Sequence, residues 1–202
     1  MSCDWVSQSI DETNHPVDEA SKTTVGSEQN KDADKASTKT EEEETISFFA
    51  DSIKLVEIQK KLLNLPKFQG KNVLFYRDIY FYDFKGGDVS LKIQDPDKPE
   101  NLDTYTYQDG KWKAPQPVNT SGNNTWDKDL LNLNKLDFSA VKKINDIIEE
   151  KKRTIEGAKE VNHIYYSNSR EDYEWRAYIR GSRKNYTLTF KRNGDLNTFK
   201  MD

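Results

Sequence analysis

Residues 72–93 read Asn-Val-Leu-Phe-Tyr-Arg-Asp-Ile-Tyr-Phe-Tyr-Asp-Phe-Lys-Gly-Gly-Asp-Val-Ser-Leu-Lys-Ile. Two runs rich in Val, Ile, Phe and Tyr, 72–84 and 88–93, are split by Gly86-Gly87, which predicts a β-hairpin. Upstream, apolar residues at 48, 49, 52/53, 55/56, 58/59 and 62/63 follow helical spacing over 47–63, and Pro66 lies just beyond the last turn. Downstream, Asp95-Pro96-Asp97-Lys98-Pro99 predicts a turn, 102–107 a third strand, and Asp109-Gly110 a tight turn into 111–113.

After a loop rich in Pro, Asn, Thr and Gly (114–127), the same order returns. Ser139 is placed to cap a helix with apolar residues at 141, 144, 147 and 148. Gly157 precedes strands at 161–167, 173–179 and 186–190, and Asn193-Gly194 turns the chain into 196–201. From Gly70 to Gly110 is 40 residues, and from Gly157 to Gly194 is 37. The reading is α+β: two tandem units, each a helix with a four-stranded antiparallel sheet, at 47–118 and 139–202, joined by a linker at 119–138. The alternative is one larger α+β sheet. This duplicated order of elements resembles the PepSY-like repeats of secreted and envelope proteins, including tandem copies shaped like the beta-lactamase-inhibitor fold. The resemblance spans roughly 47–202 and rests on element order and turn placement.

Charge divides the chain. Of 35 acidic and 31 basic residues, twelve acids and only four lysines fall in 1–46, a net of −8 that leaves the rest at +4. The leader is Ser, Thr, Asp, Glu, Lys and Asn with few apolar residues after Val6. Such a stretch cannot bury enough surface to offset about 1–2 kcal/mol of backbone entropy per residue, so 1–46 is expected to be a disordered acidic tether. The single cysteine sits in Met1-Ser2-Cys3-Asp4, at the far end of that tether. A small residue before a cysteine, followed by a long polar stretch before a folded body, resembles bacterial lipoproteins. The resemblance implies an acylated Cys3, a lipid anchor, and a location in the bacterial cell envelope. Asp4 beside it resembles the sorting signal that retains some of these proteins in the inner membrane, although in other bacterial groups that rule fails. The choice of membrane is left open, and the body is expected in the periplasm or at the cell surface.

Catalytic and cofactor chemistry finds little to work with. One cysteine and two histidines exclude disulfide scaffolds, zinc fingers and most transition-metal centres. His15 lies in the tether, and His163 occupies a strand without a nucleophile nearby. Asp95-Pro96-Asp97 lacks the central Gly and terminal Glu of a calcium loop. No metal, no cofactor and no enzymatic activity are therefore expected, and no apolar run reaches the roughly 18 residues of a membrane span. Arg170, Arg176, Arg180, Arg183, Lys184, Lys191 and Arg192 alternate with aromatic residues. On antiparallel strands that alternation arises when rings face a core and charges face water, so nucleic acid is not expected. The expected role is a monomeric, non-catalytic envelope lipoprotein whose sheet binds or inhibits a protein or peptide. The alternative is a small-ligand or lipid-headgroup module with the aromatics of 72–84 as a pocket wall. Tyr76, Tyr80, Tyr82, Trp175, Arg176, Tyr178 and Arg180 form the candidate binding face.

Overall fold

The computed structural model describes residues 47–122, 125–169 and 172–202. Every described residue belongs to one compact unit, Glu43–Asp202. Cys3, Asp4 and the tether expected over 1–46 lie outside the described residues.

The fold is α+β, two helices against one large antiparallel sheet. Helix α1 (Ser52–Leu63) begins where the Asp51 carboxylate accepts the Lys54 N–H at 2.9 Å. That cap needs a non-helical residue, and Asp51 is one, at φ −92° and ψ 84°. The helix expected over 47–63 is therefore broken: Phe48 and Phe49 are buried by a separate 3-10 turn, Phe48–Ala50. Strands β1 (Leu74–Tyr82), β2 (Asp88–Gln94), β3 (Leu102–Gln108) and β4 (Lys111–Trp112) follow as a meander. Two short strands lie in the connection, β5 (Gln116–Pro117) against β3 and β6 (Leu130–Asn132) against β1. Helix α2 (Ala140–Lys152) then leads into a second meander of β7 (His163–Ser169), β8 (Asp172–Arg180), β9 (Asn185–Phe190) and β10 (Leu196–Met201). Ser139 makes no side-chain capping bond at the start of α2, and its own N–H is taken by Asp137 Oδ1 at 2.8 Å.

The helix-then-four-strands order thus occurs twice, but the two sets do not form separate sheets. β1 and β7, the first strand of each set, pair antiparallel, giving the order β10-β9-β8-β7-β1-β2-β3-β4. Both helices cover the same face. Leu55, Ile58 and Leu62 of α1 and Val141, Ile144 and Ile148 of α2 share one core with Ile79, Phe81, Leu91, Ile164, Trp175 and Leu188. Each such side chain contributes about 1.5–3 kcal/mol on burial. An exposed ion pair such as Lys61–Glu57 is screened by water and adds little beside that, so packing decides the architecture.

The connection at 119–138 is more than a linker. Trp126, Leu133, Leu136 and Phe138 are buried. The Gln59 side chain of α1 grips it from both sides, donating to Leu136 O at 2.6 Å and accepting from Phe138 N at 3.0 Å. At the β1–β2 turn, Gly87 has φ +101°, and a Cβ there would lie 2.2 Å from the Phe48 ring. Gly70 also has positive φ, at +70°, but open space around it. Gly87→Ala should therefore destabilise by more than about 3 kcal/mol, from left-handed strain plus overpacking. Gly70→Ala should cost only about 1–2 kcal/mol. Urea unfolding of both variants measures the difference, and equal midpoints would show that Phe48 does not fill the turn.

Candidate functional site

Alternation along β8 separates its residues into two sets. Trp175, Ala177 and Ile179 are fully buried toward the helices, whereas Arg176, Tyr178 and Arg180 project from the opposite, open face. Trp175 thus does not belong to an exposed face. It packs on Phe81 and Tyr166, and its Nε1 donates to Arg192 O at 3.0 Å. Tyr76 is also withdrawn from the candidate face. Its side chain is buried with Leu102 under Trp126, the two rings meeting edge to face at 6.2 Å. Tyr80, Tyr82, Arg176, Tyr178 and Arg180 remain together on the open side.

The β1–β7 register adds two residues that the sequence reading left out. Tyr80 pairs with Tyr165, and Tyr82 pairs with His163. The β7–β8 register sets Tyr165 against Arg176, and His163 accordingly stands opposite Tyr178. Five rings form a continuous array over three central strands. Tyr80 stacks on Tyr82 at 6.2 Å and on Tyr165 at 5.6 Å, and His163 stacks on Tyr165 at 6.0 Å. Tyr165 and Tyr178 lie 6.3 Å apart with their hydroxyls 3.0 Å from one another. Interplanar angles of 11–28° among these stacked pairs set ring against ring. Side chains stand roughly perpendicular to a sheet, so the ring faces are spent on neighbours and the hydroxyl rims point outward.

Electrostatics around the array follow from partial burial. Burial, and then the hydrogen bond with Tyr178, raise the Tyr165 phenol well above its ordinary value, with Arg176 acting in the opposite direction. Burial and then the Asp78 carboxylate raise Tyr80. Both phenols are therefore neutral at pH 7, and the Tyr165 hydroxyl is engaged with that of Tyr178. Arg176 is tied to Glu174 at 2.9 Å through Nη2, while its buried Nε has no hydrogen-bond partner among the described residues. Arg180 is exposed at the margin. Burial, and then the positive charge of Arg180, hold His163 below its ordinary 6.5.

A histidine whose folded pKa is depressed binds its proton more readily in the unfolded chain. Stability should therefore fall as pH drops below about 7, through the unfolded value of about 6.5 and on toward the lower folded one. His163→Gln should flatten that loss. Urea midpoints between pH 7.5 and 5.5 for both proteins measure it, and parallel slopes would show that His163 is not desolvated.

No group of three or more His, Cys, Asp or Glu side chains among the described residues is arranged to hold a metal ion. No helix among them is long and apolar enough to cross a membrane. No protein-family model matches the chain, and no curated protein does. Among solved structures, a "putative lipoprotein" from Clostridium difficile 630 is similar, at 10% identity and a TM-score of 0.46. The match covers 64% of this chain and 83% of that one. A superposition this loose does not establish a common fold.

Proposed function

We propose that this chain is a non-catalytic bacterial envelope lipoprotein, anchored through Cys3, whose open sheet face binds a protein or peptide partner. The observation that carries the binding role is the ring array of Tyr80, Tyr82, His163, Tyr165 and Tyr178, flanked by Arg176 and Arg180. Tyrosine and arginine are the residue types most enriched at protein interfaces, and the cross-strand stacking orders these rings before any partner arrives. Little side-chain entropy is then lost on binding. The rings support this reading over a headgroup or small-ligand pocket because they present their rims: rows of phenol hydroxyls suit the polar groups of another chain. The anchor is read from Cys3 as the sole thiol at the far end of an acidic stretch. Acyl chains there would hold the body at a membrane without an apolar span.

The experiment places photo-crosslinking residues at 82 and 180 on the open face and at 53 on α1, in the precursor expressed in its native host. Discrete adducts are expected from 82 and 180 and not from 53, and Arg180→Glu should diminish the adduct formed at 82. Crosslinks from 53 alone would remove the face from the proposal. In the same host, Cys3→Ala should abolish acyl labelling and release a folded body from membranes. Unlabelled, membrane-associated protein in both forms would overturn the anchor.

A further inference from the structure

A second feature lies on the other side of the sheet, at the corner where β6 pairs with β1, and it owes nothing to the ring array. A cavity of about 270 Å3 opens there. Its apolar walls are Phe75, Leu130, Leu131 and Leu136, brought together because Leu131 pairs directly with Phe75 and the 3-10 turn Leu133–Lys135 folds Leu136 back. The remaining wall carries Asn132, Lys135, Arg192 and the Tyr166 ring. No carboxylate among the described residues lines the cavity. Among the described residues, neither Lys135 nor Arg192 has an acidic partner, and Arg192 makes one weak side-chain bond, from Nε to the Tyr166 hydroxyl at 3.4 Å. Other cations nearby do have one, as Arg77 shows with Asp129 at 2.7 Å.

Two exposed cations with no acidic partner among the described residues thus stand beside an apolar recess. An apolar molecule alone would leave them without a counterion, and a simple anion would leave the recess unfilled. We propose that this cavity binds a small amphipathic carboxylate, its head between Lys135 and Arg192 and its alkyl tail against Phe75, Leu131 and Leu136. The volume equals roughly nine waters at about 30 Å3 each, which suits a chain of about eight carbons. Tyr166, whose ring is buried while its hydroxyl meets Arg192, would donate a further hydrogen bond to the head.

The test titrates the whole chain with sodium octanoate and follows methyl, amide and indole NMR signals, using 1-octanol and octylammonium as probes with the same tail. Octanoate should give saturable shifts at Leu130, Leu131 and the Trp175 indole, whose Nε1 is bonded to Arg192 O. Lys135 and Arg192 are both exposed, so the variants should fold. Lys135→Gln and Arg192→Gln should each weaken octanoate about two- to fivefold, the range for a partly solvated ion pair. The double variant should bind octanoate no better than 1-octanol. Equal affinity for the three probes, an unaltered octanoate affinity in the double variant, or no saturable shift at these residues would each overturn the proposal. None of these outcomes bears on Cys3 or the open face.

Discussion

Among the described residues, the antiparallel pairing of β1 with β7 is the one sheet ladder between the two helix-and-meander halves, and most of the architecture depends on it. Each half alone would offer a single helix over four strands, one of which, β4, has only two residues. Joining the first strand of each half lays α1 and α2 over one face and merges their apolar sides into a common core. The same register decides what the opposite face carries. Tyr80 and Tyr82 come from the first half, and His163, Tyr165 and Tyr178 from the second. The ring array therefore belongs to neither half, and it forms only when the seam does.

The seam also needs β1 to serve two partners along one edge. β6 covers Leu74 to Tyr76 and β7 covers Ile79 to Tyr82. Between them the register against β2 slips, with Tyr76 opposite Lys92 and Ile79 opposite Leu91. Two extra residues are accommodated there, an even number that keeps Phe75, Ile79 and Phe81 on the core side. Arg77 takes φ +58° at this point, and its guanidinium reaches Asp129 through both Nε and Nη2. That fork holds the end of the 3-10 turn Trp126–Asp129, which in turn places Trp126 over Tyr76. Left-handed backbone at a non-glycine residue costs about 1–2 kcal/mol, so the two guanidinium contacts to Asp129 Oδ2 and the covered Tyr76 are what offset it.

How far the sequence could be read follows from the range of the interactions concerned. Helices α1 and α2 and all eight meander strands announce themselves through period and through the Gly-Gly, Asp-Gly and Asn-Gly turns, which act over a few residues. The break at Asp51 was also local, yet Phe48 and Phe49 keep helical spacing across it and mask the cap. Trp175 lies on the core face, not the open one, and a period of two alone separates it from Arg176 and Tyr178. Tyr76 shares a parity with Tyr80, so nothing local tells that Trp126, 50 residues on, will cover it. Tyr165 and His163 joined the array only through the β1–β7 register, a contact between residues 81 apart at its outer end, Tyr82 with His163. The apolar character of the connection at 119–138 was visible in Trp126, Leu133, Leu136 and Phe138, but the Pro-, Asn- and Gly-rich run before them reads as loop.

A ribosome makes these halves in order, and that gives the seam a temporal side. At about 5–20 residues per second, His163 is polymerised roughly 4–16 s after Tyr82, the residue it must pair with. During that interval the first meander can close while one side of β1 offers unpaired N–H and C=O groups to any other strand. Its sequence there, Ile79-Tyr80-Phe81-Tyr82, is rich in β-formers and uncharged. The register slip at Arg77 and Asp78 keeps that stretch to four residues by bending the strand and setting charges at its border. The nascent chain is thus exposed to misassociation over a short template, and its guard is built into the strand that will later carry the seam.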